Sequence, residues 1–213
     1  MKIIIPTHNH EQIKVPIDKD LIYHIDTEDL NNEFNNEFYA EIAKQLYVYK
    51  HKLINDDIIG FYQNRRYLDI DLQNIQLNEN EVILCEPVIW YHVLKSNSTL
   101  YENVSLLQQM NLGHLFIKNN NTIIENILGD DMNYFNTIKL FHFHNIFIGT
   151  NKFFYNYSEY LFNILSSIKN KFDNMNLITN EKIGAWLAER LLNIYVIKYN
   201  IKIFYTKMIE LPK

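Results

Sequence analysis

Cysteine is almost missing from this chain of 213 residues: Cys85 stands alone. That excludes an internal disulfide and a cysteine-built zinc site, and it fits a reducing compartment. Glycine and proline are scarce too, at five and four residues. Neither the dinucleotide pattern nor the P-loop pattern of a glycine-rich phosphate cradle occurs, so a bound phosphate must be held by side chains or by a metal ion. No apolar run approaches the roughly 20 residues of a membrane-spanning helix. The run after Met1 is too short for a secretory leader. Positive charge is outnumbered, with 20 Lys and Arg against 25 Asp and Glu and a net charge of −5, which argues against a broad nucleic-acid or anionic-membrane surface. A soluble, cytoplasmic protein is expected. No nucleophile elbow, His-Glu-x-x-His zinc helix or kinase signature is present, so the hydrolase and kinase classes find no positive support.

The hydrophobic pattern begins as an α/β chain. Lys2 to Pro6 is a short β-branched run that reads as a central strand halted by proline. Leu21 to Ile25 is a second candidate. From Glu37 to Lys52, Phe38, Ile42, Leu46 and Tyr49 recur at helical spacing, with Asn36 as the expected cap. The strand Ile58–Tyr62 follows, and strand, helix, strand at these distances predicts a crossover unit in a parallel sheet. Leu68 to Leu72 alternates with period two, and Glu81–Cys85 and Phe141–Gly149 read as further strands. Helices are expected over 100–112, 119–128, Tyr157–Phe172 and Glu181–Tyr199, with a closing strand at Ile201–Phe204. No repeat or Pro/Gly-rich joint divides the chain, so one domain is expected over 1–213.

Three groups of residues have chemistry to offer. Arg65 and Arg66 stand where the Ile58–Tyr62 strand should leave the sheet, the edge at which open α/β folds bind ligands. A guanidinium pair there suits a diphosphate; two solvated arginines in a turn are the plainer alternative. Asp69 and Asp71 would share one side of an extended strand and have the spacing of a clamp for Mg²⁺ or Mn²⁺, or else form the solvent side of an edge strand. His142 and His144 would share a strand face and add imidazole ligands, or simply pack. On the helix near the C-terminus, Ile183, Leu187, Leu191 and Ile194 make a core stripe. Trp186, Glu189, Arg190 and Asn193 make a second, polar stripe that is either a sugar-binding face or an ordinary exposed one. His8 follows the first strand, where a base or ribose lies in doubly wound sheets.

Four segments together resemble a glycosyltransferase-like family of bacterial and large-virus capsular polysaccharide clusters. They are Ile5-Pro6-Thr7-His8; Asn36-Glu37-Phe38-Tyr39-Ala40-Glu41 with Tyr47-Val48-Tyr49-Lys50; and Ile59-Gly60-Phe61 through Arg65-Arg66-Tyr67-Leu68. The last is Asn145-Ile146-Phe147-Ile148 with Tyr160-Leu161-Phe162-Asn163-Ile164-Leu165 and Glu189-Arg190-Leu191-Leu192-Asn193. The chain departs from the family pattern at Gln63 and Asn64, where histidine and tyrosine are usual. The resemblance implies a GT-A-type fold with a central mixed, mostly parallel sheet flanked by helices. Residues 1–85 would form a nucleotide-sugar-binding half and 86–213 an acceptor-binding half. It also implies hexose transfer from a nucleotide diphosphate sugar, expected to be a UDP-sugar, to a glycan hydroxyl in polysaccharide biosynthesis. On that expectation Arg66 and Glu189 are catalytic and Thr7, His8, Arg65, Arg66, Asp69, Asp71 and Asn193 bind the donor; Asp69 and Asp71, which lie just past the matching motif, are expected to hold Mn²⁺ or Mg²⁺ on their spacing alone. The partners are then a sugar donor and a glycan acceptor, and the chain is a part of a larger multi-domain transferase. A non-catalytic glycan- or nucleotide-binding module and a nucleotide-sugar hydrolase are the alternatives.

Overall fold

The computed structural model describes residues 1–6, 14–25, 30, 38–87, 122–135, 142, 144–176 and 182–212. Strands β1 (Lys2–Ile4), β2 (Ile22–Tyr23), β3 (Ile58–Phe61), β5 (Glu81–Cys85), β6 (Phe147–Thr150) and β7 (Lys202–Thr206) form one sheet in the order β2-β1-β3-β6-β5-β7. Every neighbouring pair is parallel except those made by β6, which runs against both β3 and β5. The mixed, mostly parallel α/β sheet expected from the pattern is therefore present. Strands β4 (Arg66–Leu68) and β8 (Met208–Glu210) form a separate antiparallel ribbon.

Alternation along the strands divides the core between two faces. Ile4, Ile59, Phe61, Val82, Leu84 and Phe147 pack against the helices. Ile3, Ile83, Cys85 and Ile148 face the other way, onto Val15, Leu68 and Met208. The helical layer comprises Ala43–His51, Asn151–Asn174 and Ile183–Lys198. The 24-residue middle helix starts where β6 ends, because the Thr150 hydroxyl accepts from Phe153 N at 3.1 Å and caps it. The last helix comes close to the first segment at Gly184. Its N–H donates to the Phe38 carbonyl at 2.8 Å, and a Cβ there would sit 2.7 Å from that oxygen.

Several bounds differ from expectation, each for a local reason. The first helix is a 3-10 turn at Ala40–Ile42 followed by Ala43–His51, ended by Lys52 in the left-handed region; the expected cap Asn36 lies outside the described residues. The middle helix starts earlier than Tyr157, at its threonine cap. The strand expected from Phe141 begins only at Phe147, because His144 has φ 68° and Ile146 N bonds back to the His144 carbonyl at 2.8 Å. The expected strand Leu68–Leu72 stops at Leu68, and Leu72–Asn74 is a 3-10 turn. Residues 122–128 are helical, within the expected 119–128, whereas 100–112 lies outside the described residues.

Candidate active site at the carboxyl edge of the sheet

Parallel strands β1, β3, β5 and β7 all finish at one edge, and β6, running the other way, begins there. Ile4 pairs with Phe61, Phe61 and Leu84 with Phe147, and Cys85 with Thr206. The segments that leave β1, β3, β5 and β7 and the one that leads into β6 therefore converge, as the crevice rule for such sheets requires.

Arg66 reaches this edge through a tight turn. Gln63 N and Arg66 O, and Arg66 N and Gln63 O, exchange bonds of 3.2 Å, and the residue then opposes Glu210 across the ribbon. Its Nη1 donates to Gln63 Oε1 at 2.8 Å, and its Nη2 donates to Glu210 Oε1 at 2.8 Å. Nη1 also lies 3.5 Å from His144 Nδ1. Its Nε is buried and has no hydrogen-bond partner among the described residues. The Arg66 hydrogen bond, with the charges of Arg66, His144 and Arg65 behind it, holds the Glu210 carboxyl below its usual value. Arg65 is half-buried beside it, its carbonyl taken by Leu211 N at 2.8 Å.

The last helix delivers the second half of the site. Arg190 is 1% exposed, and its Nη1 meets Glu189 Oε2 at 2.6 Å. The other carboxylate oxygen, Oε1, lies 3.7 Å from His144 Nδ1. Burial alone would raise the Glu189 carboxyl, but the His144 contact and the Arg190 charge outweigh it and hold the group below its usual range. Arg66 and Glu189, far apart in the chain, thus meet through His144.

Asn193 fixes the segment carrying His144. Its Oδ1 accepts from His142 N at 2.9 Å, and its Nδ2 donates to the carbonyls of His142 at 3.1 Å and Glu189 at 2.7 Å. Both amide hydrogens are used, so it clamps backbone where a donor-binding role was expected. A second clamp is the buried network Ser158–Gln45–Asn145–Tyr157. Gln45 Nε2 donates to Ser158 at 3.1 Å, Asn145 Nδ2 to Gln45 Oε1 at 2.7 Å, and Tyr157 to Asn145 Oδ1 at 2.7 Å. Of the polar stripe on this helix, Arg190 and Asn193 are buried and Glu189 faces His144, so it is not an ordinary exposed face.

Other expected site residues are placed differently. Asp71 is exposed and caps the 3-10 turn, accepting from Gln73 N at 3.0 Å and Asn74 Nδ2 at 2.7 Å; those bonds hold its carboxyl below the usual value. Asp69 is also exposed, and the strand that would have aligned the two carboxylates is not formed. Among the described residues no group of three or more His, Cys, Asp or Glu could hold a metal ion, and this donor set does not fit a Mn²⁺ or Mg²⁺ clamp. His142 and His144 do not share a strand face: the His142 Nδ1–H donates to the Cys85 carbonyl at 3.0 Å, and its ring stacks on Tyr205. Burial pushes the Cys85 thiol up to about 11, so it is no nucleophile at neutral pH. Thr7 and His8, the two residues after Pro6, lie outside the described residues. A hollow of about 390 Å³ lined by Met1, Asp56, Asp57 and Gln73 opens at the opposite edge and holds none of the candidate residues.

Two of these groups set an acid response. Burial holds His142 below its ordinary value of 6.5, the Cys85 bond only partly opposing it. The unfolded chain therefore binds that proton first, and stability falls as pH drops below 6.5. Glu189, held below its ordinary 4.5, contributes stability above that value that is lost as pH falls through its folded value. The thermal midpoint is expected to be level around neutrality, to decline from about pH 6.5 and to fall further below 4.5. In His142→Asn, whose amide can still donate to the Cys85 carbonyl, the first decline should disappear in a scanning-fluorimetry pH series.

The model of a family described as a domain of unknown function (DUF4422) matches residues 2–200. Among solved structures, the apo structure of WbbM, a bifunctional glycosyltransferase, superposes with a TM-score of 0.68 at 18% sequence identity. The match covers 100% of this chain and 45% of that one, so the two share a fold and the chain spans under half the length of WbbM. No curated protein sequence matches the chain. No helix among the described residues is long and apolar enough to cross a membrane.

Proposed function

We propose that this chain, which belongs to the DUF4422 family, is a glycosyltransferase that moves a hexose from a nucleotide diphosphate sugar, a UDP-sugar, to a hydroxyl of a glycan acceptor. One observation carries the reading. In a fold shared with a bifunctional glycosyltransferase, Arg66 and the Glu189–Arg190 pair are joined through His144 at the carboxyl edge of the sheet.

The chemical difficulty is the leaving diphosphate, which gains negative charge as the bond to the anomeric carbon breaks. Arg65, Arg66 and the buried Arg190 set three guanidinium groups against the carboxylates of Glu189 and Glu210 in this corner. A diphosphate would compete with Glu210 for the Arg66 Nη2. Such preorganised donors act on developing charge without reorganising at the moment of reaction. Thr7 and His8 are assigned to the nucleoside. The Asp71 carboxylate already serves as the cap of a 3-10 turn, so the arginines carry the charge of the diphosphate. The span of under half of WbbM favours a place in a longer, multi-domain transferase, with the acceptor site completed by another part.

The test is release of nucleoside diphosphate from a panel of nucleotide sugars, each with and without mixed glycan acceptors. Acceptor-dependent release of UDP supports the proposal. Binding of UDP by calorimetry with no release from any donor would instead assign a binding module. Equal release with and without acceptor would assign a hydrolase.

A further inference from the structure

The tautomer of His144 follows from its neighbours. Its Nδ1 lies 3.5 Å from Arg66 Nη1 and 3.7 Å from Glu189 Oε1, so only the guanidinium is within hydrogen-bond reach. Arg66 Nη1 carries two hydrogens and directs one to Gln63 Oε1 at 2.8 Å, which leaves the second for the ring. A guanidinium accepts nothing, so Nδ1 is the acceptor and the imidazole proton sits on Nε2. That Nε2–H has no hydrogen-bond partner among the described residues, and the side chain is a quarter exposed.

Glu189 presents the complement. Its Oε2 is held by Arg190 Nη1 at 2.6 Å, whereas its Oε1 receives no hydrogen bond among the described residues. The surroundings keep the carboxyl ionised, which makes it a poor base. With the side chain only 13% exposed, that ionised oxygen still requires a donor.

Resting on the transferase reading above, we infer that His144 and Glu189 read the hydroxyls of the donor hexose: Nε2–H donates to a hydroxyl oxygen, and Glu189 Oε1 accepts a hydroxyl hydrogen. A hydroxyl both donates and accepts, and neighbouring hydroxyls on a sugar ring offer both functions side by side. A phosphate oxygen would satisfy the imidazole but be repelled by the carboxylate, and a cation would do the reverse. The hexose is also the group that Arg66 calls for here. It is bonded to the diphosphate assigned to that guanidinium, whose Nη1 touches the same imidazole. Neither residue exchanges a proton with the sugar; the pair sets how the ring faces Arg66.

The backbone holds the two groups in register. His144 has φ 68°, a left-handed conformation that a residue with a side chain adopts at a cost. One amide, Asn193, bonds both His142 N and the Glu189 carbonyl, so it ties the segment carrying His144 to the helical turn carrying Glu189. Asn145, the next residue, is pinned by the Gln45–Tyr157 network. Polar groups fixed in this way are left unpaired by a sugar that lacks the matching hydroxyl, which is how a site rejects it.

The test compares kcat/KM for UDP-glucose and UDP-galactose with their monodeoxy counterparts. Loss of the hydroxyl that the pair reads should cost the parent about 100-fold or more. Asparagine tolerates the left-handed backbone, so His144→Asn is the variant of choice, and it should shrink that penalty to under tenfold while the dissociation constant for UDP stays unchanged. A parent that uses every monodeoxy donor within threefold of the full hexose would overturn the proposal and leave the transferase reading standing. So would a His144→Asn variant that discriminates as sharply as the parent. Nitrogen-15 NMR of His144 in the parent needs neither turnover nor a variant. A proton on Nε2, with a resonance that moves on adding UDP-glucose or UDP-galactose but not UDP, supports the assignment; a proton on Nδ1, or no movement with either sugar nucleotide, sinks it. A chain that transfers no sugar yet shows the sugar-dependent movement would end the transferase reading and keep the hydroxyl-reading pair in a binding module.

Discussion

Arg66→Ala is expected to lower the rate of sugar transfer about 100-fold, the loss typical of one preorganised contact to developing charge, about 3 kcal/mol. The effect should fall on kcat, because the contact strengthens as the diphosphate departs. Stability should hardly change. The partners of this side chain are Gln63, His144 at 3.5 Å and a half-exposed Glu210, and an exposed ion pair contributes about 0–1 kcal/mol. Steady-state assays beside a melting curve separate the two quantities. A variant that transfers at the parental rate would take Arg66 out of the mechanism.

Arg190→Ala is expected to do the reverse, striking the fold first. The guanidinium is 1% exposed and, after the His144 contact, helps to keep Glu189 ionised inside the protein. Removing one partner of a buried pair strands the other and costs about 3–5 kcal/mol, or about 10 °C in the melting midpoint for a chain of this size. Urea unfolding should show the midpoint shifted at constant slope. An unfolding free energy within 1 kcal/mol of the parent would mean that the pair is not what holds the last helix to the sheet edge. Replacing both residues together, Glu189→Leu with Arg190→Met, should recover part of the stability while abolishing transfer, since apolar substitutes avoid the desolvation of two ions.

Much of this was legible from local periodicity. Lys2–Ile4, Ile58–Phe61 and Glu81–Cys85 are β-branched runs bounded by breakers, and the helix over Asn151–Asn174 carries a clear apolar stripe. What escaped depends on distant partners. Asp69 and Asp71 alternate with apolar residues as a strand would, but the ribbon ends where Asp69 N meets the Lys207 carbonyl at 2.8 Å. An aspartate two residues before a free N–H then caps a turn equally well. Arg66 and Glu189 were each recognisable as chemically capable, yet nothing local says that they meet. Their junction is a histidine in a left-handed turn, set by the antiparallel course of β6 and by Asn193. Asn193 itself looked like a ligand-binding amide because a stripe of polar residues on a helix has the same spacing whether it faces water or a buried backbone.

The β4–β8 ribbon has a consequence for the order in which the parts of the protein come together. Arg66 emerges early in synthesis, but the strand that pairs with it and supplies Glu210 comes at residues 208–210. A nascent chain still holding those residues in the ribosomal tunnel has the Arg66 corner half assembled. The pairing of Arg66 with Glu210 should therefore form only after the helical layer, whose last helix ends at Lys198, has left the tunnel.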